Sequence, residues 1–131
     1  ATAIHLAAQR FPATTVHYEA ADLLHPPHRW LGAFDLVVEI ITVQALPYEL
    51  HAQAIGNLRR LVAPAGTLLV IAAVYDAHTP AGPTGPCPLR REEIDAFAGT
   101  GLDTTAVELL PGAEPSQQRW RAEFHRLPAP R

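Results

Sequence analysis

Two acidic residues stand at or near the ends of apolar segments that are typical of buried strands. Asp22 follows the segment 16–21, and Glu39 lies within the segment 34–41. A carboxylate at either position can accept hydrogen bonds from a ligand or take up a proton. Each also has an ordinary structural explanation, because Asp22 can form an Asx turn and Glu39 can be a satisfied polar group at a strand end. Asp35 opens its segment at the opposite end and is interpreted as structural.

Further polar side chains follow the apolar segments 34–41 and 67–74, in positions where loops often hold ligand-binding residues. They are Gln44, Tyr48, Tyr75 and His78. For each of them an ordinary role in a loop or a helix cap is an equal alternative. His51, near the start of the following helix, is expected to face solvent rather than to act as a base.

Neither the histidines nor the cysteine indicate a reactive centre. His25-Pro-Pro-His28 supplies two imidazoles, whereas a zinc site needs three or four ligands and no third lies nearby. Cys87 is the only cysteine, and the sequence shows no neighbouring base that would activate its thiol. We therefore expect no bound metal and no cysteine nucleophile.

The composition bounds the classes of protein to consider. The chain has 131 residues, 48% of them hydrophobic, which suits one domain with a real core. Its net charge of −3 and its scattered arginines, the only basic residues besides histidine, indicate neither nucleic acid nor an anionic membrane as a partner. No apolar run approaches the roughly 18 residues that span a bilayer. A single cysteine favours a reducing, cytoplasmic location.

Apolar periodicity predicts alternating helices and strands, the pattern of an α/β fold with a mostly parallel sheet. Expected helices cover 3–11, the region after Pro47, and 90–98, and expected strands cover 16–21, 34–41, 67–74, 102–110 and 119–126. The continuous apolar centre of 34–41 predicts a strand covered on both faces. In 119–126 apolar and charged residues alternate, which favours a sheet edge with one wet face. The proline-rich segment 76–88 is expected to be a loop.

Four segments in this order resemble the motifs of class I S-adenosylmethionine-dependent methyltransferases. They are Tyr18-Glu-Ala-Ala-Asp22-Leu-Leu, Phe34-Asp-Leu-Val-Val-Glu39-Ile-Ile-Thr-Val-Gln44-Ala-Leu-Pro47, Leu58-Arg-Arg-Leu-Val-Ala-Pro-Ala-Gly66-Thr-Leu-Leu-Val, and Arg119-Trp-Arg-Ala-Glu-Phe-His-Arg. They are similar to the family's third strand, its fourth strand with the following turn, its helix–turn–fifth strand, and its last strand. The third segment has Pro64-Ala65-Gly66 where the family usually has Pro-Gly-Gly.

The resemblance implies a Rossmann-like methyltransferase sheet of roughly seven strands in the order 3-2-1-4-5-7-6, mostly parallel with the last strand antiparallel. It implies S-adenosylmethionine as cofactor, bound across the carboxyl ends of the strands. Asp22 would accept from the adenine amino group and the Leu23 N–H would donate to a ring nitrogen. Glu39 and Ile40 would border the reactive methyl group, with Glu39 as the candidate catalytic residue.

The same resemblance assigns the acceptor side of the site. Gln44, Tyr48 and Tyr75 would contact the substrate, and the loop Ala77–Pro88 would cover or select it. Trp30 could stack near the adenine, although core packing is the simpler explanation.

One part of the family pattern is missing from the sequence. Strands 1 and 2, with the glycine-rich turn and the ribose-binding acid, should precede Ala1, and Gly32 is the earliest glycine. Without those strands the segment 16–21 loses its partner and 34–41 keeps a bare apolar edge. The chain 1–131 is therefore interpreted as a partial class I methyltransferase domain, retained from a longer enzyme and inactive alone. The absence of any Met, even at position 1, fits that interpretation.

Two main functions follow, and a third is disfavoured. The first is methyl transfer from S-adenosylmethionine to a small-molecule acceptor. The alternative is a non-catalytic methyltransferase-like domain that acts as an interaction or structural subunit through its uncovered edge, and a homodimer is one form this could take. A nicotinamide-dependent oxidoreductase shares the strand–helix rhythm but not the final pair of antiparallel strands.

Overall fold

A computed structural model describes residues 2–78 and 85–131. The chain forms three α-helices and four strands within these residues. In chain order they are α1 (Thr2–Arg10), β1 (Phe34–Ile40), α2 (Tyr48–Leu61), β2 (Val62–Ala73), α3 (Arg91–Asp95), β3 (Leu102–Leu110) and β4 (Arg119–Arg126). The expected strands 102–110 and 119–126 are confirmed residue for residue.

The four strands form one sheet in the order β1-β2-β4-β3. β1 and β2 are parallel, with Val38 opposite Leu69, whereas β4 is antiparallel to both β2 and β3. This order corresponds to the family's strands 4-5-7-6, and the α/β class with its antiparallel final strand is confirmed. The parallel pair brings the carboxyl ends of β1 and β2 to the same edge of the sheet.

One face of the sheet is covered by α2 and the region around α3. The apolar stripe of α2, with Ala54, Ile55 and Leu58, packs on buried residues of β1 and β2. Near α3, Phe97 lies against Phe124 with the ring centroids 5.8 Å apart, and both rings are fully buried. This layer holds the hydrophobic core.

The other face of the sheet is uncovered by the described residues, so the expectation that 34–41 is covered on both faces is wrong here. Within β1, Val37 is 8% exposed, whereas Leu36 is 59%, Val38 is 47% and Ile40 is 55% exposed. α1 has no buried residue and covers nothing. β1 also lies at the sheet edge, which confirms the bare apolar edge expected for this strand.

Three further expectations about the elements are corrected. The segment 16–21 is not a strand, because no neighbouring strand offers it hydrogen bonds. β4 is not an edge strand but lies between β2 and β3, and its alternation reflects the buried and uncovered faces of the sheet. The helix expected over 90–98 is only Arg91–Asp95 and ends four residues before Gly99.

The expected strand 67–74 is longer at its start, because β2 begins at Val62 and contains Pro64-Ala65-Gly66 as an irregularity. Phe34 pairs with Val62 but Leu36 pairs with Thr67, so the extra residues are looped out of the ladder. Ala65 has φ of 63°, in the left-handed region that favours glycine. A Cβ on Gly66 would lie 2.8 Å from the Ala63 carbonyl oxygen, so only glycine fits there.

Candidate functional site

The segment 87–90 forms backbone hydrogen bonds with residues at the carboxyl ends of both β1 and β2. The Cys87 N–H donates to the Gln44 carbonyl oxygen at 2.7 Å. Leu89 donates to the Ala73 carbonyl oxygen and accepts from the Tyr75 N–H, both at 2.9 Å. The backbone therefore brings residues 87–90 onto the edge where the site was expected.

Glu39 is buried at this edge and only half of its carboxylate has partners. Its side chain is 2% exposed, and Oε1 accepts from the N–H groups of Thr42 at 2.6 Å and Val43 at 3.0 Å. Oε2 is buried without a hydrogen-bond partner among the described residues. Burial raises the pKa of the Glu39 carboxyl, and the two backbone hydrogen bonds and the nearby His51 oppose that shift. The carboxylate holds the turn after β1, and its catalytic role stays a prediction.

The turn after β1 carries backbone strain. Ile41 has φ of 59°, although a β-branched residue is a genuine outlier in the left-handed region. Its neighbour Ile40, predicted to border the methyl group, is 55% exposed on the uncovered face. Strain of this kind persists where surrounding contacts hold it, and it is concentrated at functional sites.

Gln44 holds neighbouring segments of the chain together by hydrogen bonds. It is 5% exposed, and its side-chain oxygen accepts from the Ala73 N–H at 2.7 Å. With its carbonyl bound to Cys87, the residue links the turn after β1 to the end of β2 and to the segment 87–90. Its predicted substrate contact stays a prediction, and the burial argues for the structural alternative.

Tyr48 and Tyr75, both predicted to contact the substrate, meet on either side of Arg90. The Arg90 guanidinium lies 4.7 Å from the Tyr48 ring centroid and 4.2 Å from that of Tyr75. The Tyr48 hydroxyl donates to the Pro88 carbonyl oxygen at 2.9 Å, and burial raises the pKa of this phenol. A hydrogen bond with Tyr75 raises the pKa of Arg90. The sequence did not single out Arg90, whose place depends on the return of the chain after residue 84.

His51 is buried rather than solvent-facing, and that expectation is wrong. It is 2% exposed, its Nδ1 contacts the Glu93 carboxylate, and its Nε2 lies 2.9 Å from the Leu46 carbonyl oxygen. Glu93 also accepts from the Arg90 N–H at 3.0 Å, so this pair ties α2 to α3.

Asp22 lies in a separate turn that packs on α2. Its Oδ1 accepts from the Leu24 N–H at 2.9 Å and its Oδ2 lies 3.1 Å from Nδ1 of His25. These hydrogen bonds, that with His25 first, lower the pKa of Asp22. The turn is fixed by Asn57, whose amide donates to the Leu23 carbonyl oxygen at 2.9 Å. The Asx turn considered for Asp22 is thus present, and its adenine contact stays a prediction.

A concave surface of about 490 Å³ opens beside the end of β2. It is lined by Val74, Tyr75, Asp76, Ala77, His78 and Gln118. Tyr75 therefore lines this surface and also contacts Arg90.

Trp30 was the other residue considered for the adenine end, and its stacking there stays a prediction. Trp30 packs against the core and meets Phe34 edge-on at 6.2 Å. No group of three or more metal-ligating side chains occurs in residues 2–78 and 85–131. Across the same residues, no helix combines the length and apolar character that crossing a membrane requires. The loop Ala77–Pro88 is described only in part, because 79–84 lie outside the described residues.

Solved structures with this fold include several methyltransferases. The N-methyltransferase NodS from Bradyrhizobium japonicum WM9, in complex with S-adenosyl-L-homocysteine, aligns with a TM-score of 0.72 and 21% identity over 95% of this chain and 61% of its own. A 1,6-didemethyltoxoflavin-N1-methyltransferase from Burkholderia thailandensis gives 0.68 and 12% over 94% and 56%. The [4+2]-cyclase SpnF gives 0.70 and 15% over 98% and 62%. The resemblance to the class I methyltransferase fold is confirmed.

Curated relatives match by sequence over shorter stretches. The thiopurine S-methyltransferase of Vibrio atlanticus (strain LGP32) is 36% identical over 66 residues, half of this chain and 30% of the relative. The DNA repair protein RadA of Mycobacterium tuberculosis (strain ATCC 25618 / H37Rv) is 32% identical over 101 residues, 72% of this chain and 18% of the relative. The chain thus spans less than a third of either relative. No model of a known protein family matches it.

Proposed function

We propose that this chain, which has the class I methyltransferase fold, is part of an enzyme domain that transfers a methyl group from S-adenosylmethionine to a small-molecule acceptor. The observation that carries the proposal is the sheet order β1-β2-β4-β3 with its antiparallel final strand. The fold is shared with NodS and the toxoflavin methyltransferase, and the thiopurine methyltransferase relative agrees in sequence. A reducing cytoplasm is the compartment that goes with the single cysteine.

The residues of the turn 22–25 fit the adenine end of the cofactor. The Leu23 N–H donates to no acceptor among the described residues, and the Asp22 carboxylate is exposed. Glu39 and Ile40 would border the methyl end, where the strained Ile41 shapes the turn. S-adenosylmethionine would supply there a methyl group on a positively charged sulfur.

The acceptor would lie on the concave surface beside β2. Tyr75 lines that surface, and its ring contacts the Arg90 guanidinium, which in turn contacts the Tyr48 ring. Holding an acceptor in a defined pose supplies most of what such a reaction needs from a protein, because orientation removes a large part of the barrier. A small organic acceptor suits a surface of this size.

Calorimetric titration with S-adenosylmethionine and S-adenosylhomocysteine tests the proposal. Two samples are compared, this chain and the whole open reading frame that contains it. We expect a dissociation constant of about micromolar size for the whole reading frame. The variant D22N should weaken binding by about tenfold, since it removes a charged acceptor. The matched variant D35N removes a charge at the start of β1, away from the turn 22–25. It should change the dissociation constant less than about twofold. No binding to either sample would overturn the proposal.

A non-catalytic methyltransferase-like subunit is the second candidate. The uncovered face and free edge of β1 favour it, because exposed apolar strands are typical of interfaces. The likeness to SpnF, named a cyclase, also shows that this fold serves other activities. A whole reading frame that binds no adenosyl cofactor but forms a stable complex through β1 would support this candidate.

A further inference from the structure

Away from the site described above, a second concave surface lies where β1 and β2 begin. Its volume is about 390 Å³, and it is lined by Leu31, Gly32, Arg60, Val62, Pro64 and Arg126. Arg126 ends β4, which is antiparallel, so its side chain reaches this edge from a distant part of the sequence. Two guanidinium groups and several apolar side chains therefore line the same concave surface.

The arginine side chains at this end of the sheet form no ion pair with an acidic side chain among the described residues. They are Arg59, Arg60 and Arg126, together the arginine cluster. The last turn of α2, which contains Arg59 and Arg60, offers a negative dipole end. That end is equivalent to only about half an elementary charge. Three guanidinium groups exceed what one helix end can offset.

The hydrogen bonds within the arginine cluster leave donors without acceptors. Nη2 of Arg126 donates to the Arg59 carbonyl oxygen at 2.5 Å, which fixes the guanidinium against the end of α2. The Nε atoms of Arg59 and Arg126 are buried and have no acceptor among the described residues. Arg60 is exposed, and its own carbonyl is occupied by the Gly32 N–H at 2.7 Å. The Arg60 side chain lines the concave surface and has no hydrogen-bond acceptor among the described residues.

We infer that Arg60 and Arg126, the two members of the arginine cluster that line this concave surface, bind the phosphate group of a small phosphate monoester. Planar guanidinium groups bind phosphate oxygens through charge-assisted hydrogen bonds, and the hydrogen bond to the Arg59 carbonyl oxygen fixes the position of Arg126. Leu31, Val62 and Pro64 supply apolar walls for the organic part of the ester. This site lies at the end of the sheet where β1 and β2 begin, opposite the end proposed for methyl transfer.

Titration calorimetry of this chain with phenyl phosphate and with inorganic phosphate, in a phosphate-free buffer, tests the inference. We expect saturable binding of phenyl phosphate with a dissociation constant of about a millimolar or lower, tighter than that of inorganic phosphate because of the apolar walls. The variant R60Q removes an exposed guanidinium and should weaken binding by at least about tenfold. The variant R10Q, which changes net charge equally but lies on α1, should change it less than about twofold.

The outcomes separate a built site from general electrostatics. Equal weakening by R60Q and R10Q, or no saturation by about 10 mM phenyl phosphate, would overturn the inference. Tighter binding of a short single-stranded oligothymidylate than of phenyl phosphate would also overturn it, because the ligand would then be a nucleic-acid diester. Circular dichroism melting of R60Q checks that the variant is folded. The experiment needs no adenosyl cofactor, so it is independent of the proposed methyl transfer.

Discussion

At the scale of single residues, Glu39 combines two opposed environments. Its Oε1 is bound by two backbone N–H groups, which favour the charged form, while Oε2 is buried without a partner. Burial is the larger influence and raises the pKa of this carboxyl above its ordinary value of 4.5. The protonation state of the Glu39 carboxyl therefore affects the stability of the domain as well as the turn that this carboxyl holds.

The variant E39Q should change how stability depends on pH. Because the folded-state pKa of Glu39 is raised, its contribution to stability is full below 4.5 and is lost as pH rises through the folded-state pKa. The free energy of unfolding of the wild type relative to E39Q should fall from about pH 4 to pH 8 by on the order of 1 kcal/mol. Urea denaturation at several pH values measures this difference. A flat difference would contradict the prediction, and D22N is a control of opposite sign because hydrogen bonds lower the pKa of Asp22.

Residue types in the sequence indicated where polar groups would gather but not which were accessible. Gln44, Tyr48 and Tyr75 do come to one edge, as their positions after two parallel strands predicted. His51 could not be predicted as buried, because its partner Glu93 is 42 residues away and is brought near only by tertiary structure. The role of Gln44 in holding segments together depends on a backbone N–H of another strand, which no local pattern shows.

At the scale of elements, the turn at the start of β2 has alanine at a position where methyltransferases of this fold usually have glycine. Pro64, Ala65 and Gly66 stand where the family has Pro-Gly-Gly, and the middle residue has φ of 63°. A left-handed conformation costs a residue with a Cβ roughly 1–2 kcal/mol. The third residue has ordinary φ but no room for a side chain, since the Phe34 carbonyl oxygen would lie 3.0 Å from its Cβ.

Substitutions at these two neighbouring positions should act in opposite directions. A65G should raise the free energy of unfolding by about 0.5–1 kcal/mol, because the relief of the left-handed strain exceeds the added entropy of the unfolded chain. G66A should lower it by about 1–3 kcal/mol, because the new methyl group clashes with backbone oxygens that cannot move independently. Urea denaturation at neutral pH measures both changes. A stabilising G66A, or an A65G that destabilises, would refute this account of the turn.

Elements defined by their own periodicity could be predicted, and those that depend on a neighbour could not. β3 and β4 match their expected ranges, and the alternation of apolar and charged residues that predicted β4 is the alternation of its two faces. The segment 16–21 has a strand-like composition, but a strand exists only where another strand shares its hydrogen bonds. α3 ends at Asp95 because the N–H groups of Phe97 and Ala98 donate to carbonyl oxygens three residues back, rather than four as in an α-helix.

At the scale of the whole molecule, side chains that are distant in sequence form two surfaces. The net charge of −3 gives no indication of the arginine cluster, because its third member, Arg126, comes from the last strand. The second surface is the uncovered apolar face of β1, where Leu36, Val38 and Ile40 are each about half exposed or more. Water contacts both surfaces in the isolated chain, and the apolar one favours association because burying it releases free energy in proportion to its area.

The double variant L36K/V38K should abolish self-association of this chain while leaving its fold intact. We expect the wild type to sediment as a dimer or larger species at about 100 μM, because an uncovered edge strand with an apolar face readily joins a second copy. The variant should sediment as a monomer, and its free energy of unfolding should change by less than about 1 kcal/mol, since both side chains are already exposed. L109K is the matched control, because Leu109 is 53% exposed but lies on the opposite edge strand β3. Sedimentation velocity distinguishes the cases: a monomeric wild type, or equal dissociation by L109K, would show that the β1 face does not drive association.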